Sequence, residues 1–253
     1  MHYRLFEFIM NKISAEVVII GGGVRGLSIA YGLAKVGVDV VLLEKRYIAA
    51  GASGLNMGYV NISVKKPTFY TQFSKISADL YPDLNEELGG DIEYERNASL
   101  SVAKIEQEWE ALSRIVEERN KVSGVGMRML DIDEMRQMEP NLSPRLLGAT
   151  KEKAGEDVSV TVNMLSDIAR QAMSIIPALQ KARAIRFAAG LRPMTPDTRP
   201  IYQKIDGVCD FYIAVGHSGI TLVPITGKIF SELIPKGETD ILINKYKLER
   251  FQE

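Results

Sequence analysis

Gly21, Gly23 and Gly26 stand in the order G-x-G-x-x-G, and Glu44 follows the last of them by 18 positions. That spacing suits a dinucleotide. The first glycine permits a tight turn, the second lets the backbone approach a pyrophosphate, and the third allows close helix–strand packing. A helix opening at Val24 and Arg25 would offer unpaired N–H groups and a positive dipole end to the phosphates. Glu44, with Lys45 beside it, lies near the offset at which a carboxylate grips ribose hydroxyls. It disfavours a 2′-phosphorylated cofactor, where two anions would meet, but does not separate NAD from FAD.

The elements around these residues agree with that chemistry. Val17 to Ile20 form a short apolar run, as in a strand buried on both faces of a parallel sheet. Leu27, Ala30, Tyr31 and Ala34 recur at helical spacing, Gly37 sits where a helix C-terminal glycine belongs, and Val40 to Leu43 make a second run. The result is a β-α-β unit. Further along, the pattern predicts a helix from Thr68 that Pro82 stops, and short strands at 91–94 and 100–103. It also predicts an amphipathic helix through Ile105, Trp109, Leu112 and Val116, and a capping box at Asp131 and Glu134. A loop is expected at 148–157, a helix at 163–176, a strand at 185–188, a strand at 211–215, and a helix at 220–234 after the turn GHSG. Met127, Met129, Met135 and Met138 read as core filling, and Cys209 as a buried or half-buried apolar residue.

Composition narrows the function further. The 253 residues are 46% hydrophobic and 25% charged with a net charge of −1, which excludes general disorder and gives no electrostatic case for nucleic acid or an anionic membrane. One cysteine excludes an internal disulfide, and two histidines cannot build a multi-histidine metal site, so no metal is expected. No run reaches the length of a membrane span. The opening MHYRLFEFIMNK is interrupted by Glu7 and makes a poor signal peptide, so a cytoplasmic location is expected.

Three further segments complete a pattern: GASGLNMG at 51–58, GLRPMTPDTRPI at 190–201, and FYIAVGHSGITLVPITGKIFSELI at 211–234. With the glycine fingerprint, they make the chain resemble the FAD-dependent D-amino-acid oxidase family, the group of glycine oxidase, sarcosine oxidase and related amine dehydrogenases. The resemblance implies an α/β flavoprotein. A Rossmann-like FAD-binding domain would be built from both chain ends, 1–62 and 183–253, with a reduced α+β substrate domain at 63–182 between them. It implies oxidation of a C–N bond in a small amino acid or amine by hydride transfer to flavin, with hydrolysis of the resulting imine.

Carried over residue by residue, Gly21, Gly23 and Gly26 would face the pyrophosphate and Glu44 the adenosine ribose. Ser53, Asn56 and Gly58 would line the ribityl and flavin side. Gly216, Gly219, Ile220 and Thr221 would present backbone N–H groups to the flavin's pyrimidine end, where a positive helix end favours the reduced anion. Arg192 would pair with the substrate carboxylate, and His217 would orient substrate or flavin. On the residues alone, Arg192 reads first as one partner of a structural salt bridge, and His217 equally as a capping or packing residue.

The chain departs from the family in the middle. Where a crossover helix, a strand of the FAD sheet and most of the substrate sheet are expected, GEDV runs within a few residues into NMLSDIARQAM, with the join between Val158 and Met164. This should leave Val40–Leu43 as an apolar edge and one pocket wall absent, favouring a homo-oligomer or a place as a subunit beside another chain. A shortened, non-catalytic flavin-fold protein is therefore the alternative function. An NAD-dependent dehydrogenase is a third, disfavoured because no separate acid–base pair accompanies the fingerprint.

Overall fold

The computed structural model describes residues 13–90, 92–96, 100–143, 146, 162–185 and 190–252. Strand β1 (Val17–Ile20) leads through Gly21–Gly23 into helix α1 (Val24–Lys35), which returns to strand β2 (Val40–Leu43). The two strands pair in parallel, Val17 with Val40 through Ile20 with Leu43. Gly37, at φ +83°, ends the helix, and the Val38 N–H closes the turn on the Leu33 carbonyl.

Helices α2 (Thr68–Asp79), α3 (Tyr81–Glu87), α4 (Glu106–Arg119), α5 (Ile132–Met138) and α6 (Val162–Ile175) follow. Strands β3 (Ile201–Lys204) and β4 (Tyr212–Val215) then form an antiparallel pair, and helix α7 (Val223–Lys236) follows before two short 3₁₀ turns.

The core joins the chain ends. Ile29 and Leu33 of α1 meet Ile225, Ile229, Phe230 and Leu233 of α7, with Tyr202 of β3 and Tyr246 behind them. Each such aliphatic or aromatic side chain is worth about 1.5–3 kcal/mol on full burial. The two helix backbones touch because Gly32 faces Gly227: a Cβ on Gly32 would lie 2.6 Å from the Gly227 carbonyl oxygen. Ser28 Oγ donates to the Val223 carbonyl at the same crossing, 2.5 Å away. Tyr70 and Phe73 of α2 share this core, although they lie beyond residue 62.

Several expectations need correction. β1 is not buried on both faces: Val18 is 55% and Ile20 85% exposed, because β1 and β2 pair only with each other among the described residues and nothing described covers their outer face. Pro82 does not stop a helix. The turn comes at Leu80, and Pro82 sits in the first turn of α3, where its missing N–H costs nothing. Residues 92–94 form no strand, and in 100–103 only Ala103 makes an isolated bridge; no described ladder runs beside them to hold an extended chain. Helix α7 begins at Val223 rather than at residue 220, since residues 219–222 make a turn closed by the Leu222 N–H on the Ser218 carbonyl.

Cys209 is exposed in the turn between β3 and β4, not buried. The methionines at 127, 129 and 135 are half-buried and Met138 is exposed; with Trp109 they line a cavity of ≈ 1700 Å³ instead of filling a closed core. The loop expected at 148–157 and the 186–188 part of the expected strand lie outside the described residues, and Ile185 is not in a strand. The capping box is as expected: the Asp131 carboxylate accepts from the Asp133 and Glu134 N–H groups, and Glu134 reaches back to the Asp131 N–H.

The turn that carries the GLRP segment is pinned by the C-terminal tail. Asp197 receives Arg250 at 2.7 Å and Arg199 at 2.6 Å. Burial would raise the Asp197 carboxyl, but the hydrogen bond from Arg250 and the Arg199 contacts outweigh it and hold the group down to about 2. A depressed carboxylate stabilises the fold fully above its unfolded value near 4, and that contribution fades as pH falls towards 2. Denaturant titrations should therefore show wild type losing about 2 kcal/mol relative to Asp197→Asn between pH 6 and pH 2. Parallel pH profiles for the two proteins would rule this out.

Candidate functional site

The glycine turn is built for close approach. Gly21 has φ +114°, and a Cβ on Gly26 would fall 2.0 Å from the Gly21 carbonyl oxygen, so only glycine lets α1 start this tightly against the strand. Three N–H groups of the turn are taken by neighbours, the first being Gly21, which donates to the Leu43 carbonyl at 2.8 Å. Gly22 donates to Glu44 Oε2 at 2.8 Å, and Val24 donates to Ser53 Oγ at 2.9 Å. Gly23 and Arg25 keep backbone N–H groups without a partner among the described residues.

Glu44 lies immediately beyond β2 and takes Arg46 N–H on Oε1 at 2.9 Å. The N–H groups of Arg46 and Gly22 hold its carboxyl below the usual carboxylate range, so it is an anion with acceptor capacity to spare. Lys45 is exposed beside it. These residues fit a dinucleotide: a cradle too narrow for a Cβ, open N–H groups for phosphate, and an ionised carboxylate for ribose.

The other sequence-derived residues fall into two groups. Asn56 closes its own loop, donating through Nδ2 to the carbonyls of Ala52 and Ser53 and accepting from the Gly58 N–H at 2.7 Å. Gly58, at φ +64°, leads on to Asn61, whose N–H donates to Thr221 Oγ1 at 3.2 Å and so ties this loop to the GHSGIT turn. In that turn Gly219, Ile220 and Thr221 keep N–H groups that no described residue accepts, while Gly216 takes φ +131°.

The Arg25 guanidinium is turned inward. It donates to Tyr202 Oη at 2.5 Å and to the Gly216 and His217 carbonyls at 3.1 and 2.6 Å, so it fastens α1 to the GHSG turn and leaves only its backbone for a ligand.

Arg192 and His217 are brought together. Arg192 Nη1 lies 3.4 Å from His217 Nε2, and Arg192 is exposed. The second imidazole nitrogen, Nδ1, meets Ser218 Oγ at 3.0 Å, and Ser218 in turn receives Lys65 Nζ at 2.5 Å. The sequence analysis missed Lys65 and Ser218. Nothing in SVKKP distinguishes a lysine that turns inward from its neighbour, and Ser218 was visible only as part of a turn. The large cavity touches the site at Val24, Gly58 and Ile220 but not at Arg192 or His217. Among the described residues no helix is long and apolar enough to cross a membrane, and no cluster of side chains could hold a metal.

Comparison with known proteins places this architecture. The sequence model of the FAD dependent oxidoreductase family matches in two segments, residues 16–156 and 145–233. The mitochondrial pyruvate dehydrogenase phosphatase regulatory subunit of Mus musculus is 33% identical over 137 residues, 53% of this chain but 15% of its own length. Glycine oxidase of Bacillus subtilis is 34% identical over 104 residues, 40% of this chain and 28% of its own. The chain thus spans well under half the length of these relatives.

In three dimensions, the glycine oxidase of Bacillus cereus superposes with a TM-score of 0.80 at 20% identity, covering 91% of this chain and 100% of that one. That likeness concerns the fold, a Rossmann-like FAD domain in a chain of mixed helix and strand. The chain belongs to the FAD-dependent oxidoreductase family of the D-amino-acid oxidase type.

Proposed function

We propose that this protein oxidises the C–N bond of a small amino acid or secondary amine, with FAD as electron acceptor. The observation that carries the reading is the meeting of Arg192 with His217, 3.4 Å apart, His217 belonging to the GHSGIT turn whose Gly219–Thr221 N–H groups no described residue accepts. A guanidinium there can hold a substrate carboxylate by two parallel hydrogen bonds.

FAD would be held by the Gly21–Gly26 turn and Glu44 at its adenosine diphosphate half. The loop 53–58 and Gly219–Thr221 would hold its flavin half. When bound, it supplies a two-electron acceptor for the hydride of the substrate α-carbon. The chain's own residues do the rest. Arg192 would fix the carboxylate, His217 would stand beside it, and the open Gly219–Thr221 N–H groups would offer stabilisation to negative charge on a bound flavin. On this reading residues 1–62 and 183–253 form the FAD domain and 63–182 the reduced substrate region, with α2 as the joint between them.

The test is anaerobic mixing of the flavin-loaded protein with glycine, proline or sarcosine. Loss of the oxidised flavin absorbance is expected with at least one of them, and an unchanged spectrum with every small amine would overturn the reading.

A second reading draws on a different observation, the bare outer face of β1 and β2 at Val18, Ile20 and Leu43. Such a face favours a homo-oligomer or a place as a non-catalytic flavin-binding subunit beside another chain. A yellow protein that no amine reduces, and that light scattering finds larger than a monomer, would select it.

A further inference from the structure

Ser218 takes φ +62°, in the left-handed region that a Cβ disfavours. Gly216, at φ +131° in the same turn, has no Cβ to strain. Lys65 Nζ and His217 Nδ1 meet the Ser218 hydroxyl at 2.5 and 3.0 Å, and the Leu222 N–H donates to the Ser218 carbonyl at 3.1 Å. None of these three contacts touches the peptide that joins His217 to Ser218. Arg25 does. Its Nη2 donates to the His217 carbonyl at 2.6 Å and to the Gly216 carbonyl at 3.1 Å.

The guanidinium is itself held in place. It lies 5.4 Å from the centre of the Tyr202 ring, and Nη1 donates to the Tyr202 hydroxyl at 2.5 Å. A guanidinium only donates, so the Tyr202 hydrogen goes on to Thr226 Oγ1, 2.7 Å away, and Thr226 donates to the Leu222 carbonyl at 2.6 Å. Tyr202 and Thr226 are fully buried, so this relay anchors Arg25 to the start of α7.

In a planar trans peptide the carbonyl and the N–H point opposite ways. With the His217 carbonyl on Arg25, the Ser218 N–H is turned away from the guanidinium, and no described residue accepts it. Reversing this one peptide would turn φ of Ser218 by about 180°, into the broad extended region, and relieve the strain. The Arg25 bond opposes that flip. A hydrogen bond from a charged donor outweighs the left-handed strain of a single residue. We infer that Arg25 is a positioning residue: it holds the 217–218 peptide against a flip, so that the Ser218 N–H stays with the open Gly219–Thr221 donors and helps to stabilise negative charge on a bound flavin. The hold rests on the bonds described; only its effect on the flavin rests on the proposed function.

Two readouts test this, one of the backbone and one of the flavin. Arg25→Met keeps a long side chain, removes its donors and leaves the backbone N–H at position 25 for a phosphate. The coupling between the Ser218 amide proton and its Hα reads φ by nuclear magnetic resonance, with and without added FAD. It should report left-handed backbone in wild type and extended backbone in Arg25→Met. The midpoint potential of bound FAD should then fall by about 30 mV, a ten-fold loss in the ratio of reduced to oxidised flavin. Arg25→Lys keeps a charged donor without the fork and should recover part of both. Should Arg25→Met not fold, Arg25→Gln, neutral and too short to reach the turn and Tyr202 together, should give the same two shifts.

Extended backbone at Ser218 in wild type, or a φ indifferent to the loss of the guanidinium, overturns the hold. A φ that changes while the potential stays constant, or a protein that takes up no FAD, overturns the effect on the flavin. If both shifts appear in a protein whose flavin no amine reduces, the role of Arg25 stands and the oxidase reading alone falls.

Discussion

Arg192→Ala should slow flavin reduction by an amino acid about thirty-fold to several thousand-fold in second-order terms, a loss of about 2–5 kcal/mol in transition-state binding. The range follows from the structure. Arg192 is exposed, where a charge pair is worth least, but a bound substrate would desolvate it against the flavin and raise its contribution. Orientation adds to charge: a carboxylate held at one point swings, and a C–H bond that swings spends little time aimed at its acceptor. Arg192→Lys should recover only part, because ammonium is a point charge without a planar fork. Flavin content should stay normal in both variants, since no bond from Arg192 reaches the glycine turn or Glu44. The measurement is the anaerobic reduction rate against amino-acid concentration. Equal rates in wild type and Arg192→Ala would make the arginine structural, and no reduction in either would remove the enzyme reading.

Glu44→Ala should weaken FAD binding about ten- to a hundred-fold, as expected for losing hydrogen bonds from ribose hydroxyls to a charged acceptor. The structure gives the carboxylate a second task. Its Oε2 secures the Gly22 N–H at 2.8 Å and its Oε1 the Arg46 N–H at 2.9 Å, so alanine also frees the glycine turn that should cradle the pyrophosphate. Glu44→Gln separates the two effects. It keeps one oxygen for a backbone N–H but removes the charge, and should lie between wild type and alanine. Fluorescence quenching of added FAD gives the dissociation constants. A value unchanged in Glu44→Ala would mean that the adenosine ribose is held elsewhere.

The bare face of β1 and β2 bears on both predictions. In this fold a strand run such as Val17–Ile20 is covered on both sides, and here Ile20 lies open next to the glycine turn. An edge that fluctuates would loosen the turn, so FAD itself should stabilise the β-α-β unit. Helix α6 shows the same shortage of cover. Its sequence has a helical apolar stripe, yet Ile168 is 60% exposed, because little described structure packs against it.

Local signals in the sequence determined the β-α-β unit, the glycine turn, the Glu44 carboxylate beyond β2, and the Asp131 capping box. Each depends on residues within one turn or one supersecondary unit, where steric limits and hydrogen-bond needs act at short range. Motif order added the family, and with it Arg192 and His217. The tertiary structure alone decided which side chains turn inward. Arg25 spends its guanidinium on Tyr202 and the GHSG turn, Asp197 is locked by Arg250 from the tail, and Lys65 reaches Ser218 from 153 positions away. It also decided what was left uncovered, at β1, α6 and the methionine-lined cavity. Burial is a property of the whole packed chain, and an apolar run says what a segment needs covered, not whether a neighbour is there to cover it.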